Sequence, residues 1–227
     1  MLNKADQSRI EAAITDAETK TQGEIFCVLA RDVSRYREVP LAWAAAAALF
    51  LPSLAVLLGL HRLAMTDVYS GWSDGTVRAV ESLILRALST YSLLQAVIFV
   101  GVALIVSQPK VRRALTPGIL RRHRVRQAAR RHFAAAGARL SHAEPHILIY
   151  ASMADRRVEL VAHAAIHKAV GEGPWQAAVT AVSDGMKTGK QADGFVKAIA
   201  ICGDALAAHF PPDGPPKNRL PNTIFQA

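Results

Sequence analysis

Charge is missing from two long stretches of this 227-residue chain, and no other absence says as much about it. Residues 39–60 and 88–107 contain no Asp, Glu, Lys or Arg. Each run is long enough to cross the roughly 30 Å hydrocarbon core of a bilayer as a helix. The lack of ionisable groups inside them argues against a solute or proton pathway, where such groups mark the route. Acids are also missing from Ser82 to Ala143. Cysteine is scarce. Cys27 and Cys202 are far apart, lie in apolar stretches and have no CxxC spacing. That excludes a disulfide framework and reads as two small buried side chains in a reducing compartment. No Ser-His-Asp or Cys-His set is legible. Gly171-Glu172-Gly173-Pro174 precedes a helix start but has no Lys-Ser/Thr pair, so it reads as a turn and not a phosphate loop. The first 20 residues have no apolar core and no small-residue cleavage site, so a cleaved signal is not expected and the first apolar run reads as an uncleaved span.

What is present is a net charge of +9, unevenly placed. Lys110, Arg112, Arg113, Arg121, Arg122, Arg124, Arg126, Arg130 and Arg131 follow the second run, and Arg31, Arg35 and Arg37 precede the first. The connection at 61–87 balances Arg62, Arg78 and Arg86 against Asp67, Asp74 and Glu81. Lys and Arg favour the cytoplasmic side of short loops. The charges therefore predict a two-pass membrane protein, with both termini cytoplasmic and 61–87 outside. Three partners suit the basic stretch. Anionic lipid headgroups fit best, because the charges begin at the end of a span, and Lys110, Arg112, Arg113, Arg121, Arg122 and Arg124 are the candidate contacts. An acidic protein partner fits next. Nucleic acid fits least, because aromatic interleaving and a known module are both lacking.

The polar segments read as elements of one domain. Residues 2–20 predict an amphipathic helix capped by Asn3 or Asp6, with Ile10, Ala13, Ile14 and Ala17 on one face and Gly23 suited to a left-handed turn at its end. Residues 24–30 (EIFCVLA) predict a strand. In the first span, Pro52 predicts a kink and 44–48 a small-residue packing face. In the second, Gly101 and Ala103 suit the same contact, and Gln95 suits a cross-helix hydrogen bond. Residues 76–88 predict a short amphipathic helix on the membrane surface, with Tyr69 and Trp72 as interface anchors. Residues 121–140 predict a helix, 147–153 and 158–164 a hairpin turning at Asp155-Arg156-Arg157, and 174–186 and 191–209 two more helices. The Pro- and Asn-rich end, 211–227, predicts an extended or mobile tail. His163 and His167 are four apart, but their segment reads as a strand running into a turn, not as a helix that could share a metal between them. His142 and His146 have the same spacing and straddle Pro145.

The leading helix and strand cannot bury their apolar faces alone, and an antiparallel pair of spans returns the chain to the side it left. The expected organisation is thus one α+β domain made of 1–38 and 108–210, a small mixed β-sheet flanked by helices. A transmembrane helical hairpin (39–60 and 88–107, joined by the outer loop 61–87) interrupts it.

On that frame, Thr21-Gln22-Gly23-Glu24-Ile25 after the first helix resembles the TPM domain of the thylakoid-lumen phosphatase-like family. So do residues 147–153 running into Ala154-Asp155-Arg156-Arg157-Val158-Glu159, the Trp175 helix, and residues 203–208 leading to His209-Phe210-Pro211. The chain is similar in particular to a bacterial membrane-protein branch in which two spans interrupt the domain, and Asn218-Arg219-Leu220-Pro221 matches that branch's closing segment. The resemblance covers roughly 5–30 and 120–222. It implies a phosphatase with Asp155 as its catalytic acid, or a divalent cation such as calcium or magnesium held by Asp155 and Glu159. Where the family's pattern has a carboxylate at the end of the second hairpin strand, this chain has His163, with Asp155, Glu159 and Glu144 the only acids near. A non-enzymatic binding or assembly-assisting module is therefore the leading expectation, a phosphatase-type hydrolase the second and a small transport component the third.

Overall fold

The structure is a computed structural model that describes residues 2–33, 36, 38–58, 77–140, 145–212, 214 and 219–226. It forms two compact units. Met1–Arg35 and Gly118–Ala227 make one, and Tyr36–Pro117 makes the other.

The first unit is built on a four-stranded mixed sheet. Its strands are β1 (Glu24–Ala30), β2 (His146–Ser152), β3 (Arg157–Ala162) and β4 (Phe225–Gln226), in the order β3-β2-β1-β4. β1 runs parallel to β2, with Cys27 opposite Ile149, while β2 and β3 form an antiparallel hairpin. The two central strands are almost uniformly apolar because both of their faces are covered. Ile25, Cys27, Leu29, Ile147 and Ile149 point to one side. There they meet Ile10 and Ile14 of α1 (Lys4–Glu18), Ile166 of α6 (Ala164–Val170), Trp175 and Val182 of α7 (Gly173–Thr188), and Phe195, Ile199, Cys202 and Leu206 of α8 (Gln191–His209). Val28, Leu148 and Tyr150 point to the other side and meet Val125 and Ala129 of α5 (Gly118–Gly137). Each large aliphatic side chain taken fully from water contributes about 1.5–3 kcal/mol, so the two faces together dominate the stability of this unit.

Close helix contacts rest on glycine. A Cβ at Gly185 of α7 would lie 2.8 Å from both the Gly194 Cα and the Lys190 carbonyl oxygen, and one at Gly203 would lie 2.8 Å from the Ala17 Cβ. Gly23 is explained in the same way. It is not left-handed, as the sequence suggested. Its missing side chain makes room for Leu206, whose Cδ1 would be 2.9 Å from a Cβ there. At the start of α1, Asn3 is the cap, its Oδ1 accepting from the Asp6 N–H at 2.7 Å.

Of the extended or mobile tail expected at 211–227, the described end takes the extended alternative and is held in place. Residues 219–226 are strapped across this unit. The Glu24 carboxylate accepts the N–H groups of Arg219 and Leu220 at 3.0 and 3.1 Å, and Asn222 Nδ2 donates to Thr15 Oγ1. Leu220 is buried with Ala136, Leu140 and Phe26, and Ile224 joins the main core. Phe225 and Gln226 then pair with Val28 and Leu29 as the edge strand β4. Two apolar residues within a Pro-rich segment, Leu220 and Ile224, outweigh its composition once they have a core to enter.

The second unit contains α2 (Glu38–Leu57), α3 (Val77–Ser107) and the short α4 (Pro109–Leu115). The separate surface helix expected at 76–88 does not exist. It is continuous with the second apolar run, giving one helix of 31 residues, about 46 Å long. Tyr69 and Trp72 lie outside the described residues. α2 and α3 pack together. The buried residues of α2 include Pro40, Ala44, Ala48 and Pro52, a seam at four-residue spacing, so the expected small-residue face is present. Gly101 takes no part in a close approach, because a Cβ there would meet nothing within 4 Å. Among the described residues, a polar contact between the helices joins Ser53 Oγ to Tyr91 Oη at 3.4 Å, and no hydrogen bond from Gln95 crosses to α2. Elsewhere the pair is strongly apolar and uncovered, with Phe50, Leu57, Leu93 and Leu104 exposed. Glu38–Leu57 and Ile84–Ser107 are both long and apolar enough to cross a membrane.

Candidate functional site

The C-terminal ends of the parallel strands β1 and β2 form the edge at which ligands bind in many open α/β sheets. Backbone hydrogen bonds from Met153 N to Ala30 O (2.9 Å) and from Ala154 N to Arg31 O (3.1 Å) carry the β1–β2 pairing past the strands and hold the β2–β3 turn beside residues 30–31. Asp155 lies in that turn and is buried. Its Oδ2 accepts from Ser152 Oγ at 3.0 Å, and its own N–H donates back to Ser152 Oγ at 3.3 Å. Arg156 follows with φ 49°, the left-handed residue that reverses the chain. The carboxylate also reaches Tyr150 electrostatically. Burial, and after it the Asp155 charge, pushes the Tyr150 hydroxyl up to about 12. Asp155 thus closes a turn at the sheet edge, whatever further chemistry it supports.

Glu159 is half-buried on β3, opposite Tyr150. By strand alternation it shares the α5 side of the sheet with Val161, away from Val158 and Leu160, which pack on the main core. A hard cation wants six or more oxygen ligands. Among the described residues no three of His, Cys, Asp and Glu come together to hold a metal, and Glu144 lies outside them. The described side chains do not make up such a site around Asp155 and Glu159, and no step is assigned to a metal here.

The histidines gather differently from their sequence spacing. A helix does follow β3. His163 caps α6, its Nδ1 accepting from the Ala165 N–H at 3.4 Å, and His167 is exposed in the first turns. The expected strand-to-turn crossing is therefore wrong, because Ala164–Val170 are good helix formers that bury Ile166. His146, at the start of β2, lies 5.6 Å from His163 ring to ring and stacks on Phe133 at 4.4 Å. His132 sits 5.5 Å from Tyr150, and burial lowers its pKa. These rings fill the space between α5 and the sheet.

Two buried carboxylates escaped the sequence reading. Glu18 and Glu24 flank the Thr21-Gln22-Gly23 turn. Glu18 Oε1 accepts the Ile25 N–H at 2.9 Å, while Glu24 holds the strap. Thr21 Oγ1 donates to the Phe210 carbonyl at 2.7 Å, and Gln22 Nε2 donates to that of Pro211 at 2.8 Å. The motif is a clasp that joins the leading segment to the end of α8 and to the last residues of the chain. An acid heading an otherwise apolar central strand was the available signal, since a buried carboxylate requires partners.

The six basic candidates fall into two groups. Lys110, Arg112 and Arg113 are on α4 of the helical unit, and Arg121, Arg122 and Arg124 are on α5 of the sheet unit. Lys110, Arg113 and Arg122 are exposed, whereas Arg112, Arg121 and Arg124 are half-buried. Cys27 and Cys202 are free and fully buried, and desolvation raises both thiols, Cys202 to about 12. That makes them poor nucleophiles.

No family model matches the chain, and no curated protein matches it. Among solved structures it is similar to the NMR structure of BA42 protein from the psychrophilic bacterium Bizionia argentinensis. The identity is 18%, the TM-score is 0.55, and the match covers 100% of this chain and 96% of that one. At that identity the likeness supports the fold, a small mixed sheet flanked by helices, and nothing about activity.

Proposed function

We propose that this protein is a membrane-anchored, TPM-like binding module. It crosses the bacterial inner membrane twice, keeps both termini cytoplasmic, and engages a protein partner or assists assembly at the inner face, without chemistry of its own. The observation that carries this reading is the exposed aliphatic surface of α2 and α3, which interrupt a domain between two strands that pair with each other. A core helix of a soluble protein would hide such side chains; a span presents them to lipid. The reading is further supported by the structural duty of Asp155, which is tied to Ser152 in its turn.

Alkaline carbonate extraction combined with a reporter fused at the C-terminus tests the placement. Retention in the pellet and a cytoplasmic signal are expected, and a periplasmic signal inverts the orientation. A hydrolase of the phosphatase type is tested on the purified protein with and without calcium or magnesium. Turnover of a phosphate ester that is lost in Asp155→Asn, a change that keeps the size of the turn residue, would replace the binding-module reading.

A further inference from the structure

α5 has two sides of opposite character. Val125, Ala129 and Ala136 are buried toward the sheet. On the outer side Arg122, Arg126 and Arg130 stand one helical turn apart, all exposed, with Arg131 beside them. The three span about 12 Å along the axis. α5 contains no Asp or Glu, and among the described residues none of these four arginines is engaged in an ion pair. Like charges four apart weaken a helix, so the stripe is costly to the isolated fold.

We infer that this outer stripe of Arg122, Arg126, Arg130 and Arg131 is a docking surface for an anionic bilayer, on which α5 lies parallel to the headgroups. The inference rests on the membrane-anchored reading and changes its contacts. Arg121 and Arg124 turn half inward, while Arg126, Arg130 and Arg131, part of the basic stretch but not among its six candidate contacts, face out. Two observations select lipid as the occupant. Gly118 follows the last residue of the second apolar helix, Ser107, by eleven positions, so even a fully extended connection keeps the start of α5 within about 40 Å of it. The outer side also offers no Phe, Tyr or Trp: the single such residue among Gly118–Gly137 is Phe133, which packs against the sheet cluster and His146, and the one ring exposed beside the arginines is the small imidazole of His123. Single-stranded nucleic acid uses Phe, Tyr and Trp rings as stacking platforms. A row of lipid phosphates asks only for charge at this spacing. Each arginine near such a surface strengthens association roughly fivefold, and salt screens the effect.

The test uses the full chain reconstituted into phosphatidylcholine vesicles with or without phosphatidylglycerol. A donor dye is placed on Gln127→Cys at the exposed side of α5, and an acceptor dye on lipid headgroups. Cys27 and Cys202 are buried and stay unlabelled. A second label at Ala177→Cys on α7, across the sheet, serves as reference. Energy transfer at position 127 is expected to rise several-fold with phosphatidylglycerol and to collapse in high salt. In the Arg122→Gln, Arg126→Gln, Arg130→Gln triple variant it should stay at the phosphatidylcholine level, with position 177 unmoved throughout. Indifference of position 127 to phosphatidylglycerol, or a triple variant that behaves like wild type, overturns the inference. So does a short RNA or DNA duplex that binds through these arginines while phosphatidylglycerol has no effect. Carbonate resistance of the same vesicles separates the two levels. A retained protein that fails the lipid test loses only this surface, whereas an extracted one loses the anchor and this surface with it.

Discussion

In the sheet unit Ile147, Phe195 and Leu206 have no exposed surface, whereas in the helical unit Leu57 is 82% and Leu93 67% exposed. The same residue types follow opposite rules in one chain. The sheet unit hides aliphatic groups from water and tolerates contacts so close that glycine is required between helices. The helical unit turns aliphatic groups outward and meets itself along a narrow seam of Ala and Pro. The first pattern is that of a domain folded in water, and the second is what hydrocarbon would ask of helices long and apolar enough to cross a membrane.

The sharpest way to break that contrast is to shave one side chain from each unit. Phe195→Ala should destabilise the sheet unit by about 3–5 kcal/mol in urea unfolding, while Leu93→Ala should leave the same transition unmoved. If Leu93→Ala moved it equally, the helical pair would be part of a water-facing core.

Next in size is the effect of pH on the sheet unit. Burial, opposed by the Ile25 N–H and reinforced by the Glu24 charge, pushes Glu18 up from 4.5 to about 7. Between those values the folded protein keeps a proton that the unfolded chain has released. The contribution is thus full below about 4.5 and declines as pH rises to about 7, by at most roughly 3 kcal/mol. Glu18→Gln should flatten that part of a stability-versus-pH curve; an unchanged slope would assign it to other groups.

Glycine sharpens the comparison further. Gly185→Ala should cost about 1–3 kcal/mol through the clash with Gly194, and Gly101→Ala nothing measurable, as read from thermal midpoints in detergent. The smallest effect belongs to the strap. Glu24→Gln removes the ionised acceptor of two N–H groups and should cost about 1–2 kcal/mol, with faster tryptic cleavage after Arg219 and faster amide exchange at Phe225 and Gln226.

Strong periodicity made most elements legible. Phe195, Ile199, Cys202 and Leu206 at helical spacing predict α8 with its observed ends, and the short apolar run EIFCVLA reads as the strand it forms, although its burial on both faces was not foreseen. Three features were hidden for physical reasons. The docking of the strap was hidden because composition is local, whereas Leu220 and Ile224 find their core from across the chain. Helix α6 is only seven residues long, too short for periodicity to register. The long α3 was divided at Leu88, just past the last charged residue Arg86, although a helix passes from a charged to an uncharged stretch without a break when no Gly or Pro interrupts it. Of the candidate site, the place of Asp155 in the hairpin turn was legible, but its bond to Ser152 was not. The duties of Glu18 and Glu24 were not legible either, since each depends on backbone groups far away or across a turn.

The parallel pairing of β1 with β2 has a consequence for how the protein is made. When a ribosome has finished residues 24–30, their partner at 146–152 is more than a hundred residues from synthesis, and both apolar helices emerge in between. The nascent strand must wait unpaired. On the two-pass reading proposed above, insertion of only one of the two helices would strand the halves in different compartments, and no sheet could form. On that reading completion of the domain would certify correct insertion, and a molecule that failed would leave an exposed apolar strand that cellular proteases and chaperones can recognise.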